Sequence, residues 1–138
     1  MRFTVDGEPK GKARARTVRN GDKVHSFTPK STVEYEQLVK VSYLSTENRG
    51  IWFDNEPLSI NIIAYFQPPK RFTKADREKV AKGVIFPVKK PDADNIAKII
   101  CDALNGVAYR DDAQIVDCHI TKRYGEPRVE VMIKEYCG

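Results

Sequence analysis

Asp92 and Asp94 stand two residues apart in the run Lys90-Pro91-Asp92-Ala93-Asp94-Asn95-Ile96-Ala97-Lys98. After Cys101-Asp102-Ala103-Leu104-Asn105-Gly106 a second acidic pair follows, in Tyr109-Arg110-Asp111-Asp112-Ala113-Gln114. These carboxylates belong to a chain whose formal net charge is +5. A basic surface attracts a polyanion, whereas a knot of aspartates repels one unless a divalent cation lies between them. The conjunction points to metal-dependent phosphodiester chemistry on nucleic acid. A hard cation such as Mg²⁺ takes oxygen ligands and is commonly held by one or two carboxylates together with water and substrate phosphate. Asp92, Asp94 and one of Asp111 or Asp112 could supply that set. Lys98 lies one helical turn beyond Asp94 and could bring its ammonium to the scissile phosphate, stabilising charge that develops as the P–O bond breaks.

Each residue also has an ordinary explanation. Asp92 or Asp94 could cap a helix N-terminus and complement its dipole. Arg-Asp-Asp is common in turns. Lys98 could form an i, i+4 pair with Asp94, shared with Asp102 and worth only ~0.2–0.5 kcal/mol. The chemical reading therefore rests on the acids occurring together. An EF-hand is excluded: Ile96 and Ala97 occupy a ligand position and the turn-glycine position, and Ala103 stands where the bidentate Glu belongs. With two histidines, His25 and His119, and no C-x-x-C among Cys101, Cys118 and Cys137, zinc is set aside as well.

The elements that must position these residues can be read from periodicity. Arg2 to Val5 alternates as a strand. The segment at about 8–23 is a basic arm or hairpin carrying Lys10, Lys12, Arg14, Arg16 and Arg19, with an Asn20-Gly21 turn, and Val24 to Phe27 returns as a strand. Ser31 and Glu34 have capping-box spacing. They predict a helix over Thr32 to Ser45 that turns Tyr35, Leu38, Val41 and Leu44 to the core and closes at Asn48-Arg49-Gly50. Leu58 to Phe66 has apolar residues on both faces, as a central strand covered on two sides would. The segment at about 67–90 is basic, a short exposed helix or a mobile lid. Asp94 to Leu104 is the clearest helix, with Ile96, Ile99, Ile100 and Ala103 inward, Asp94, Lys98 and Asp102 on the polar face, and Gly106 as its stop. Ile115 to Lys122 and Arg128 to Lys134 are two strands joined around Gly125-Glu126-Pro127. The order β-β-α-β-α-β-β predicts an α+β fold, a small mixed sheet with two main helices in a single domain over residues 1–138. No run is long and apolar enough for a membrane span, and the N-terminus lacks a secretory signal, so a cytoplasmic, nucleoid-associated protein with reduced thiols is expected.

Taken together, Lys90-Pro91-Asp92-Ala93-Asp94-Asn95, Lys98, Asp102-Ala103-Leu104-Asn105-Gly106 and Asp111-Asp112-Ala113-Gln114 resemble the signature of RusA-type Holliday junction resolvases. Lys122-Arg123-Tyr124 and the basic arm followed by Phe27-Thr28-Pro29-Lys30 are similar to that family too. The resemblance implies a small Mg²⁺-dependent endodeoxyribonuclease, with Mn²⁺ as a substitute, that cuts four-way DNA junctions as a homodimer and is often encoded in phages or prophages. By the resemblance the catalytic and metal-binding carboxylates are Asp92, Asp94 and Asp112, and the essential lysine is Lys98. Asp111 becomes an auxiliary ligand or orienting group, and Asp102 a structural partner of Lys98. Paired symmetric nicks suit a near two-fold junction, which gives the dimer a physical reason.

Lys10, Lys12, Arg14, Arg16, Arg19, Lys90 and Lys122 are expected to contact phosphates, which position DNA without reading its sequence. Phe72, Trp52 and Tyr109 are candidates to stack at an unpaired centre, against the ordinary reading of core or rim aromatics. Two other functions stay open: a general or restriction-type metal nuclease, and a non-catalytic DNA-binding module that uses the arm alone. The restriction-type pattern begins at Pro91-Asp92 but does not complete, because Ile120 stands where an acid should precede Lys122.

Overall fold

A computed structural model of the chain describes residues 1–47 and 49–138; Asn48, in the turn expected to close the first helix, lies outside the described residues. In chain order the elements are β1 (Arg2–Asp6), β2 (Arg16–Asn20), β3 (Lys23–Phe27), α1 (Lys30–Leu44), β4 (Leu58–Phe66), α2 (Lys74–Ala81), α3 (Ala93–Ala103), a 3-10 turn (Asp112–Gln114), β5 (Ile115–Tyr124) and β6 (Arg128–Glu135). Four strands form one mixed sheet in the order β1-β6-β4-β5, while β2 and β3 make a separate hairpin whose residues are all exposed. The α+β expectation holds: the basic arm pairs as the β2–β3 hairpin, and the 67–90 segment carries the short exposed helix α2.

The core lies on one face of the sheet. Ile60, Ile62, Ala64 and Phe66 of β4, Val129, Val131 and Ile133 of β6, and Phe3 and Val5 of β1 are buried there. Against them sit Ile96, Ile99, Ile100 and Ala103 of α3, the stripe expected from their spacing, each fully buried. Burying one such isoleucine stabilises by roughly 1.5–3 kcal/mol. This packing fixes the roll of α3 and turns its acidic face outward. Gly106 accepts a φ of +73° just past the helix, the left-handed conformation that lets the chain double back toward Tyr109.

Three expectations are corrected. α1 buries Tyr35, Val39 and Tyr43, whereas Leu38, Val41 and Leu44 are exposed. The helix has apolar residues around most of its circumference, and the stripe with two aromatics wins because Tyr43 meets Phe3 edge-on at 5.6 Å and donates its hydroxyl to Ile51 O at 2.7 Å. Pro29, not Ser31, occupies the N-cap, with no side-chain cap bond. The capping box forms instead at α2, between Thr73 and Asp76, on an exposed helix. Finally, β4 is central through pairing on both edges, but only one of its faces is buried throughout; Asn61, Ile63 and Tyr65 point to the open side and are partly exposed. Both main helices pack on the buried side.

The strands after the helix do not pair with each other. β5 runs parallel to β4 on one edge and β6 antiparallel to it on the other, so β4 is inserted between them. That topology carries the chain from the end of α3 through the 3-10 turn and back into the sheet, which places Asp112 beside the helix C-terminus.

Candidate active site

At the N-terminal end of α3, Asp92 occupies the N-cap position in an extended conformation (φ −68°, ψ 150°), yet its side chain makes no capping hydrogen bond. Asp94, in the first turn, is exposed, and so is Lys98. Among the described residues neither aspartate has a side-chain hydrogen bond or ion pair, and the ordinary Asp94–Lys98 pair is not formed. Capping does not account for Asp92, nor pairing for Lys98, whereas Asp94 sits in the first turn, where its charge complements the helix dipole. Asp92 lines a cavity of about 480 Å³ together with Lys10, Lys12, Lys90 and Asn95.

A strap of the N-terminal segment lines one side of this open cavity. Lys12 N donates to Asn95 O at 2.9 Å, and a Cβ on Gly11 would stand 2.8 Å from Pro91 Cβ and 3.1 Å from Asn95 Cβ. Only glycine allows the strap to lie this close to the start of α3. Its consequence is the placement of Lys12, whose Nζ reaches Glu36 at 3.0 Å and Asp102 at 3.3 Å. Partial burial pulls the ammonium pKa down, but the bonds to Glu36 and then Asp102 outweigh it and hold the group above its ordinary value.

Asp102 stands at the other end of the helix, and Asp112 is brought to it. Asp112 N donates to Asn105 Oδ1 at 2.8 Å, which pins the 3-10 turn against the end of α3. Burial, and next the hydrogen bond and charge of Asp102, push the Asp112 carboxyl pKa up. Two carboxylates are thus held together with one nearby ammonium, already shared with Glu36. Asp111 is spent differently: its Oδ2 accepts from Ala113 N at 3.2 Å, capping the turn. Gln114 locks the arrangement, accepting from Arg110 N and Asp111 N and donating to Phe53 O and Glu56 O. Lys12, Glu36, Asn105 and Gln114 are positioning residues that spacing alone did not single out. Asn105 and Gln114 had one signal, their fixed places in the two motifs.

Within one chain the structure brings Asp112 to Asp102, not to Asp92 and Asp94. Eight residues of helix separate Asp94 from Asp102, about 12 Å along the axis at ~1.5 Å per residue. Among the described residues no group of three or more His, Cys, Asp or Glu side chains is disposed to hold a metal ion. Asp102 is the partner of Lys12 rather than of Lys98.

The family model for endodeoxyribonuclease RusA matches residues 6–134. The chain belongs to the RusA family. It is also 40% identical over 139 residues, covering 98% of its own length and 96% of the other, to a protein of Bacillus subtilis (strain 168) named as uncharacterized protein YqaN. RusA membership makes the chain an endodeoxyribonuclease of a family that acts on branched DNA junctions and is generally dependent on a divalent metal. The donor chemistry fits such an ion. The start of α3 offers exposed carboxylates, and at its end the crowding of Asp112 against Asp102 leaves negative charge that a dication would neutralise.

Of the cations expected to meet DNA in this RusA-family chain, Lys10, Arg14, Arg16, Arg19 and Lys90 are exposed. Two are otherwise engaged. Lys12 holds Glu36 and Asp102, and Lys122 donates to Lys89 O with its ammonium 5.4 Å from the Phe66 ring centroid. The aromatic candidates occupy core or rim positions. Tyr109 is fully buried and donates to Cys101 O at 2.6 Å, and Phe72 packs edge-on against Tyr124 at 5.4 Å. Trp52 is partly exposed and leans on Asp54. Among the described residues no helix is long and apolar enough to cross a membrane.

Proposed function

We propose that the protein resolves four-way DNA junctions by paired, symmetric, Mg²⁺-dependent nicks, with Asp92, Asp94 and Asp112 as metal ligands and Lys98 as the catalytic cation. The observation that carries this reading is the uncapped N-cap: Asp92 occupies the position where an aspartate normally bonds the helix amides, yet its carboxylate is left exposed among lysines. Mg²⁺ or Mn²⁺, when bound, polarises the phosphate and lowers the pKa of an attacking water. Lys98, unpaired among the described residues, neutralises a phosphate oxygen as charge builds on it. Lys10 and Lys90 hold the flanking phosphates in register, and the exposed arginines of the β2–β3 hairpin extend that contact along the duplex.

The position of the acids supports a homodimer. Asp112 lies against Asp102, which is ~12 Å along α3 from Asp94, so within one chain it does not complete a site with Asp92 and Asp94. A two-fold mate would set Asp92 and Asp94 of one copy against Asp112 of the other, and two such sites per dimer match two nicks per junction.

The test is incubation of a synthetic mobile junction with and without Mg²⁺, followed by nick mapping. Asp92→Asn and Asp112→Asn are each expected to lose at least ~1,000-fold in nicking rate, the scale of removing a key electrostatic group. Junction binding should be kept or tightened, because less negative charge opposes the phosphates. Retained cleavage in both variants leaves only a DNA-binding module, and scattered unpaired cuts leave a general nuclease.

A further inference from the structure

We propose that the segment Val84–Val88 is an apolar wedge that enters the unstacked bases at the centre of branched DNA; this rests on the junction-endonuclease reading above. Val84, Ile85, Phe86, Pro87 and Val88 form an unbroken apolar run between α2 and the Asp92 loop. Their burial alternates. Val84, Phe86 and Val88 are 63%, 43% and 96% exposed, while Pro87 is buried and Ile85 partly so. The inward pair anchors a segment without regular secondary structure whose outward edge presents three apolar side chains to water. Loops that face only solvent are normally polar, so such an edge implies a partner.

The segment is held at both ends. At its start, Gly83 N and Val84 N donate to Val80 O and Lys79 O at 3.0 and 2.9 Å, ending α2. At its end, Lys122 donates to Lys89 O, and the Lys89 and Lys122 ammoniums both lie over the Phe66 ring. Proline in the middle limits the backbone freedom that binding would otherwise have to freeze.

Charge identifies the occupant. Lys82 precedes the apolar edge, Lys89 and Lys90 follow it, and no acid intervenes between Lys82 and Pro91. Cations flanking an apolar edge complement a strand of DNA, phosphate outside and base within. Val88 is four residues from Asp92, so their Cα atoms lie within about 14 Å even in a fully extended chain. That distance spans about four steps of a strand. Apolar side chains that part base steps must offset a few kcal/mol of unstacking. A branch point, where stacking is already interrupted, is the cheapest place to enter. Neither Phe72 nor Tyr109 is free to do this, and Trp52 has no such flanking lysines.

The experiment uses the full chain in EDTA, a four-way junction with 2-aminopurine at the branch, and a linear duplex of the same arms. The wild-type chain is expected to raise the fluorescence several-fold on binding the junction. In Phe86→Ser/Val88→Ser that rise should fall by more than half, and junction affinity about ten-fold, while duplex affinity and its salt slope stay unchanged. Val88→Phe, at a site so exposed that folding is undisturbed, should strengthen the signal. An unchanged rise in the serine variant overturns the wedge. So does a serine variant that is monomeric in sedimentation where the wild-type chain is dimeric, because the edge then serves a second copy. If the wild-type chain neither prefers nor nicks junctions, the underlying functional reading fails; if it does both and the serine variant is indistinguishable from it, only the wedge fails.

Discussion

The two ends of α3 carry the same side chain in opposite company. At the start, Asp92 and Asp94 have no internal hydrogen bond or ion pair among the described residues; both are exposed, and Asp92 lines an open cavity with Lys10, Lys12 and Lys90. At the end, Asp102 is tied to Lys12 and pressed against Asp112, which is itself held by Asn105 and partly desolvated. The first pair is available to a ligand from outside the chain. The second has been assembled by the fold, and its crowding is tolerated because Lys12 answers part of it. Carboxylates alone do not make a site; what matters is how much of their charge the protein leaves unanswered.

The sharpest way to break this comparison is to exchange the ends. Asp92→Asn should abolish nicking, whereas Asp102→Asn, at a residue paired internally, should retain it within about ten-fold. Equal losses would erase the distinction. Mixing inactive Asp92→Asn with inactive Asp112→Asn protein should restore cleavage of one strand per junction, because a two-fold mate returns one complete set of acids to one site. No rescue after subunit exchange would place each site within a single chain.

Lys12 sharpens the comparison further, since it belongs to the basic arm by sequence and to the helix end by structure. Lys12→Met should lower stability by about 1–2 kcal/mol, the scale of a charge-assisted hydrogen bond, and slow nicking with little change in the salt slope of DNA binding. Lys12→Arg should recover part of both. Arg14→Gln, at an exposed residue of the arm, should do the reverse, flattening the salt slope by about 0.9 and leaving the melting temperature alone.

The smallest effect concerns pH. Burial, followed by the contact with Asp102, raises the Asp112 pKa in the folded chain. The folded state therefore binds that proton more tightly than the unfolded one. The associated stability is present below the ordinary carboxylate range and is lost as pH rises through the raised value. Thermal melts in EDTA should show a small decline in melting temperature as pH rises through that raised value. Asp112→Asn should remove it and Mg²⁺ should oppose it.

Some of this was legible in advance. The isoleucines of α3 repeat with helical spacing in a segment whose polar positions are charged, so only one face could be buried, and the outward placement of Asp94, Lys98 and Asp102 followed. α1 was harder to read because Val33, Leu38, Val41 and Leu44 compete with Tyr35, Val39 and Tyr43, and periodicity has no term for the fit of Tyr43 against Phe3. The Ser31–Glu34 box failed for a related reason: the chain enters α1 through Pro29, two positions earlier, so Ser31 already lies inside the helix. The Val84–Val88 segment is not legible within its basic stretch, since alternation of burial over five apolar residues arises only once Pro87 and Ile85 have found something to rest on.

Local order was written in the residues themselves. The motifs around Asp92 and Asp112, the amphipathic face of α3 and the strand character of β4 to β6 all depend on neighbours a few positions away, and so does the family to which the chain belongs. Which acid meets which was not local. The insertion of β4 between β5 and β6 and the strap of Lys12 across α3 join residues from about 60 to 90 positions apart. Contacts of that separation are selected by burial and charge balance over the whole chain, so only the folded protein decided that Asp112 lies beside Asp102 and that Asp92 is left open.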